Sequence, residues 1–145
     1  MSAILTAPGA LALVLSEFNR CWPWLDAALR HGGNRHTRES IWQGIVRGQY
    51  QFWPYERAAG VTHVDVYPTG NVVQLWLVGG ELDEVLAREP EIAEWGRQLG
   101  CVSMQLVGRT GWVKALGPLG YSRGDVVLTR GLQNGPADTG GIRSG

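Results

Sequence analysis

From Ala10 onward, apolar side chains recur at Leu11, Leu13, Val14, Phe18, Trp22 and Leu25. Positions three and four apart share one face of a helix, so this is a helical stripe. Pro23 interrupts it, and proline removes a backbone donor and crowds the preceding turn, so two short helices are expected rather than one. His31-Gly32-Gly33-Asn34 reads as a closing turn. Thr37 can cap a further helix from Arg38 to Arg47, with Ile41, Trp42 and Ile45 on one face and Gly48 as its stop.

The period then changes from helical to alternating. Gln49 to Tyr55, Val61 to Tyr67 and Val72 to Val78 read as three consecutive strands. Pro68-Thr69-Gly70-Asn71 has the turn chemistry of an antiparallel hairpin between the second and third. The third strand, VVQLWLV, is apolar enough to be covered on both faces.

After Gly79-Gly80 the helical period returns in Leu82, Val85 and Leu86, then in Ile92, Trp95 and Leu99. Pro90 suits the first turn of a helix, which predicts separate helices over 81–88 and 91–99, ended by Gly100. Cys101 to Val107 is a further strand, and Thr110 to Leu119 a short helix interrupted at Gly117-Pro118. Tyr121 to Leu132 reads as a closing strand or hairpin. Five of the fifteen residues from 131 to 145 are glycine and few are apolar, which predicts a flexible tail or one ordered by a neighbour. The expected organisation is a lead-in over 1–9, one domain over 10–130 and the tail over 131–145. Its class is α/β (α+β), with helices on a mixed sheet.

Composition narrows the function. The chain has 145 residues, enough for one ordinary core, and thirteen basic residues balance thirteen acidic ones. No bulk charge therefore draws it onto nucleic acid or an anionic membrane. The longest apolar run, Ala10 to Leu15, is far short of a membrane span. Two cysteines, Cys21 and Cys101, make no disulfide framework and suit a reducing compartment. One lysine stands against twelve arginines, a balance that base composition of the coding sequence explains more simply than chemistry. Of seven tryptophans, Trp42, Trp53, Trp76, Trp95 and Trp112 fall inside expected elements, where large rings supply core area.

Five short motifs follow one another from residue 38 to 122. They are a GxxxxW stretch (Gly48 to Trp53), VTxVxxYP (Val61 to Pro68), an apolar strand ending in Gly-Gly (Val73 to Gly80), WxxxxGC (Trp95 to Cys101) and GRxGWxxxL (Gly108 to Leu116). This order resembles the core of the GNAT acetyltransferase superfamily, in the divergent form found in tailed bacteriophages and prophages. The resemblance implies a mostly antiparallel mixed sheet flanked by helices. It also implies an acyl-CoA site where the fourth strand of that family splays from its neighbour, here Leu77, Val78, Gly79 and Gly80, with backbone N–H groups and a helix start holding the diphosphate.

Three departures from the family pattern bear on activity. No Gln or Arg precedes the glycines at the spacing of the family's phosphate-binding motif. Residues 81 to 95 carry Glu81, Asp83, Glu84, Glu89, Glu91 and Glu94 against Arg88 alone, a formal charge of −5 where a diphosphate would approach. The family often sets a tyrosine acid four residues before a Gly-Tyr pair, and here Leu116 stands at that distance from Gly120-Tyr121. His63 and Asp65 could act as a base, but on an alternating strand they read first as a solvated face. No catalytic residue is assigned.

His31, His36, His63, Cys21 and Cys101 show no ligand spacing, so no metal site is expected. Arg109, Trp112 and Lys114 combine two cations with a stacking ring and are the candidate partner-binding residues. A small nucleic-acid contact is their weaker reading, and the start of a helix with Trp112 turned inward is the simplest. Residues 96 to 145 hold six cations against Asp125 and Asp138, a formal +4 that makes the neutral chain dipolar. Such a surface suits self-association or docking on a larger assembly, with cancellation of the two blocks within one chain as the simpler alternative.

These readings together lead to one expectation: a phage or prophage GNAT-like protein without catalysis or cofactor. It would act in virion assembly, or as a minor virion component, through contacts with phage structural or assembly proteins. Its location would be the host cytoplasm, with incorporation into the virion. The alternative is an acyl-CoA-dependent N-acyltransferase using acetyl-CoA.

Overall fold

The computed structural model describes residues 9–33, 35–107, 110–124 and 127–133. Most of the expected lead-in, Arg109 of the partner-binding candidates, and the tail from residue 134 lie outside the described residues. The chain divides into two units, Met1–Gly108 and Arg109–Gly145.

The first unit runs α1 (Ala10–His31), α2 (Arg38–Val46), β1 (Gln51–Pro54), β2 (Ala58–Asp65), β3 (Val72–Gly80), α3 (Leu82–Gln98) and β4 (Ser103–Leu106). The sheet order is β1-β2-β3-β4. The first two pairings are antiparallel, and β4 joins β3 in parallel after the α3 crossover. This is the mixed, mostly antiparallel sheet with flanking helices that the motifs imply.

Neither proline divides its helix. α1 is one helix of 22 residues containing Pro23, and α3 one of 17 residues containing Pro90. Both prolines are exposed. A carbonyl that loses its partner on the outer face is hydrated, while the inner face packs without interruption. In α1 that inner face is Val14, Phe18, Cys21, Leu25 and Leu29, all buried. Burial pushes the Cys21 thiol up to about 11, so it behaves as a small apolar side chain. The start of α2 follows local chemistry. Thr37 Oγ1 accepts from the Ser40 N–H at 3.0 Å, and the Thr37 N–H donates to Ser40 Oγ at 2.9 Å.

Strand bounds shift for a physical reason. β2 begins at Ala58, three residues before the expected start, because Ala58, Ala59 and Gly60 pair with Gly80, Gly79 and Val78. Small residues there admit close backbone approach and give no alternation to read. The β2–β3 turn is the expected one, with the Gly70 N–H donating to the Tyr67 carbonyl at 3.1 Å.

The two faces of the sheet carry separate cores. Phe18, Cys21, Leu25, Ile41, Ile45, Phe52, Val61 and Leu77 form the first, under α1 and α2. Trp53, Leu75 and Ile92 form the second, under α3, with Trp95, Met104 and Leu106 packed against it. Leu75 and Leu77 would share a face in a regular strand. They do not, because the register jumps from Thr62↔Leu75 to Val61↔Leu77, leaving Trp76 as an extra, bulged residue in β3. Coverage of both faces of this strand thus follows the expectation. Trp53 is buried, and its indole N–H donates to Thr62 Oγ1 at 2.9 Å.

The second unit contains α4 (Thr110–Leu116), followed by a single 3₁₀ turn over Gly117–Leu119. The expected closing strand over 121–132 is not formed: residues 121–124 and 127–133 belong to no helix or strand. A strand exists only with a partner for its backbone groups, and the described residues supply none.

Candidate functional site

β3 changes its neighbours halfway along its length. Its ladder with β2 continues to Gly80↔Ala58, whereas its ladder with β4 ends at Leu75↔Leu106. From Trp76 to Gly80 the strand has a described strand on one edge only. The point of divergence coincides with the Trp76 bulge, so Leu77 turns into the first core while Val78 is half-buried on the other face.

Of the cofactor-binding candidates, Leu77 and Gly79 are buried, Val78 is half-buried and Gly80 ends the strand exposed. The two glycines have packing reasons. A side chain on Gly79 would run into the carbonyl and Cβ of Trp24 in α1. Gly80 has a φ of 107° and lies against Arg57 O and Ala58 Cα.

A single residue, Glu81, separates β3 from α3, and its N–H donates to the Arg57 carbonyl at 2.8 Å. No glycine-rich loop intervenes. The start of the helix is instead a cluster of charge. Arg57 donates through Nη1 to Glu81 and to Asp83 Oδ2, the latter at 3.0 Å. Its Nη2 donates to Glu84 Oε2 at 3.1 Å, and its backbone N–H to Glu84 Oε1 at 3.2 Å. The Glu84 side chain is only 8% exposed, so these bonds are what make its burial tolerable. Hydrogen bonding to Arg57 holds the Asp83 carboxyl below the usual carboxylate range, and Asp83 and Glu81 hold the guanidinium above its own. Three carboxylates therefore meet one guanidinium at the positive end of the helix dipole.

A carboxylate depressed in the folded state stabilises above its unfolded pKa, and that contribution is lost as pH falls through the folded value. Arg57→Gln is therefore expected to lower the urea midpoint at neutral pH, with the gap to the parent protein closing under acid conditions below the ordinary aspartate range. A gap that stayed constant between neutral and strongly acidic pH would show that pairing of charge is not what Arg57 supplies.

On the other side of the bulge lies a cluster that the sequence did not announce. The ring centroids of His36 and Tyr50 sit 4.7 and 5.0 Å from that of Trp76, and the His63 ring sits 5.9 Å from it. His63 Nδ1 and Asp65 Oδ1 are 3.1 Å apart, and Tyr67 Oη donates to Asp65 Oδ2 at 3.4 Å. With the proton on Nδ1, the imidazole donates to Asp65 and presents a lone pair on Nε2. Spacing of two on a strand puts His63 and Asp65 on one face, the one available signal for this pair. The surrounding rings arrive from other elements.

Of the partner-binding candidates, Trp112 and Lys114 lie on α4 and Arg109 lies outside the described residues. Trp112 is half-buried and Lys114 exposed on α4. Residues two apart on a helix point in different directions, so these two do not form one patch. Leu116 accepts a bond from the Tyr121 N–H at 3.4 Å and holds no acid. Among the described residues no group of three His, Cys, Asp or Glu is arranged to hold a metal ion, and no helix is long and apolar enough to cross a membrane.

No protein-family model matches this chain, and no curated protein matches it by sequence. Solved structures similar to it include the following. A "probable acetyltransferase" superposes with a TM-score of 0.59 at 10% identity, covering 83% of this chain and 94% of the other. A "possible acetyltransferase from Clostridium difficile 630" gives a TM-score of 0.49 at 10% identity, covering 84% and 91%. The first likeness shows a fold like that of a probable acetyltransferase.

Proposed function

We propose that this chain keeps the acetyltransferase fold without acyl-CoA chemistry and acts by protein contact, as a phage or prophage protein in virion assembly or as a minor virion component. One observation carries the non-catalytic part: the N-cap and first turn of α3 present Glu81, Asp83 and Glu84 around Arg57. A helix start favours an anion by about 0.3–1 kcal/mol at an exposed site. Each carboxylate–phosphate pair at about 4 Å opposes it by about 1 kcal/mol in water and about 4 kcal/mol near a protein surface. Arg57 offsets one of three carboxylates, so repulsion wins. The missing loop between β3 and α3 removes the backbone donors that would otherwise cradle phosphate. The residues present do not fit the diphosphate of acetyl-CoA.

The phage setting rests on the motif order from residue 38 to 122. It gives the protein contacts their partners, phage structural or assembly proteins, and their location, the host cytoplasm and the particle. Calorimetric titration with acetyl-CoA is expected to give no binding tighter than about 100 μM, equivalent to about −5.5 kcal/mol. Mass spectrometry of purified particles tests the assembly role, which absence from them, together with normal assembly without this chain, would overturn.

A second reading, an N-acyltransferase, has one specific observation in its favour. The His63–Asp65 pair lies beside Trp76 at the divergence of β3 and β4, and an imidazole held in this way can take a proton from an acceptor amine. Saturable acetyl-CoA binding in the same titration would select this reading over the first.

A further inference from the structure

The inner stripe of α3 is Val85, Glu89, Ile92 and Gly96, all buried and spaced as one helical face requires. Glu89 stands where a leucine would serve. It is only 6% exposed, and among the described residues no hydrogen bond or ion pair reaches its carboxylate. Glu84, the other buried acid of this helix, has Arg57. A buried charge without a partner costs stability, and proteins keep such groups where function needs them.

Glu89 borders a cavity of about 280 Å³, its mouth included, between α3 and the sheet. The space exists because Ala58 and Gly60 put one methyl group and no side chain on its floor. Leu75, Val78, Val85 and Ile92 make its walls apolar. Arg88 and Tyr55 complete the lining, with the guanidinium 5.1 Å from the centre of the Tyr55 ring. The Tyr55 hydroxyl is taken by Glu91 Oε1 at 2.8 Å, and among the described residues no carboxylate pairs with Arg88.

One positive and one negative side chain, neither with an opposite charge to pair with, thus border an apolar space. An amine would leave Arg88 unpaired, and a carboxylic acid would leave Glu89 so. A molecule carrying both groups satisfies each through charge-assisted hydrogen bonds. Pockets for drug-sized ligands run from about 300 to 1,000 Å³, so this one selects an occupant of few heavy atoms. We propose that the cavity binds a small aliphatic α-amino acid, its ammonium on Glu89, its carboxylate on Arg88 and its side chain against Val78, Val85 and Ile92. The site lies within the first unit and needs no acyl-CoA, so this binding and the acetyl-CoA titration can fail separately.

L-valine is the probe, with isobutylamine and isovalerate as analogues that each keep one of its charges. Calorimetry on the full chain is expected to give a dissociation constant below about 1 mM for L-valine and at least about tenfold weaker binding for either analogue. At about ten times that constant, L-valine should raise the melting temperature by about 4 °C. Glu89→Gln keeps the shape of the side chain and is expected to weaken L-valine at least about tenfold, while the ligand-free variant melts no lower than the parent. A carboxylate with a purely structural role would do the opposite, lowering the melting temperature of the ligand-free variant. No binding of L-valine at 10 mM, isobutylamine binding as tightly as L-valine, or a Glu89→Gln chain that binds L-valine like the parent would each overturn the proposal. If Glu89→Gln does not fold, the two analogues decide on the parent chain: weaker binding of both supports the site, and equal binding of either refutes it.

Discussion

Phe18→Ala is expected to lower stability by about 3–5 kcal/mol, the usual range for emptying a fully enclosed phenylalanine site. Phe18 is 1% exposed, and its ring lies 5.6 Å from Trp22, 5.3 Å from Trp42 and 5.7 Å from Phe52. These neighbours come from α1, α2 and β1, so no single element can relax into the space. Rigid indoles also collapse poorly, which puts the cost toward the upper end. A domain of this size is stable by about 5–15 kcal/mol, so the variant sits near the limit of folding. With a urea slope of about 1.5 kcal/mol/M, the midpoint should fall by about 2 M or more. Leu11→Ala is the control. It lies on the same helix but is 47% exposed, and its effect should stay within about 0.5 kcal/mol. Equal shifts for the two variants would mean that α1 does not bury the face described.

Gly80→Ala should be nearly as damaging, although it adds only one methyl group. At a φ of 107° the added Cβ is strained, and it would meet Arg57 O and Ala58 Cα, backbone atoms that cannot swing aside. Strain of about 1–3 kcal/mol and overpacking of about 1–3 kcal/mol act together. Gly100 separates the two terms, because it has a φ of 80° and open space around it. Gly100→Ala should therefore cost about 1–2 kcal/mol, from backbone strain alone. At about 3 °C per kcal/mol, the Gly80 variant should lose about 6–18 °C in melting temperature and the Gly100 variant about 3–6 °C. Indistinguishable melting temperatures would remove the close packing of Gly80 as the reason for a glycine there.

What the sequence discloses is what local chemistry decides. The Thr37 cap and the Tyr67–Gly70 turn depend on neighbours within four residues, and both form as their residues predict. Pro23 and Pro90 mislead because the cost of a proline depends on which face of the helix it occupies, and that is a property of packing. The early start of β2 is hidden for a related reason. Ala58, Ala59 and Gly60 lie across from Gly80, Gly79 and Val78, and small size has no period to read.

The candidate site divides along the same line. Acidity at the start of α3 is legible as a run of Glu81, Asp83 and Glu84, but its partner Arg57 stands at least 24 positions away. His63 and Asp65 read as a solvated strand face because the rings against His63 belong to Tyr50 and Trp76, and His36 of the α1–α2 connection meets the same two rings. Trp76 looks like one more apolar position in VVQLWLV, and nothing in those letters marks it as the inserted residue.

That insertion fixes the parity of β3. Odd positions before Trp76 and odd positions after it serve opposite sides of the sheet, so the strand is two half-strands of opposite phase joined at one tryptophan. Loss of Trp76 alone would leave Leu77 to Gly80 on the sides they already face and join the halves into one regular strand, at the expense of the ring that His36, Tyr50 and His63 contact.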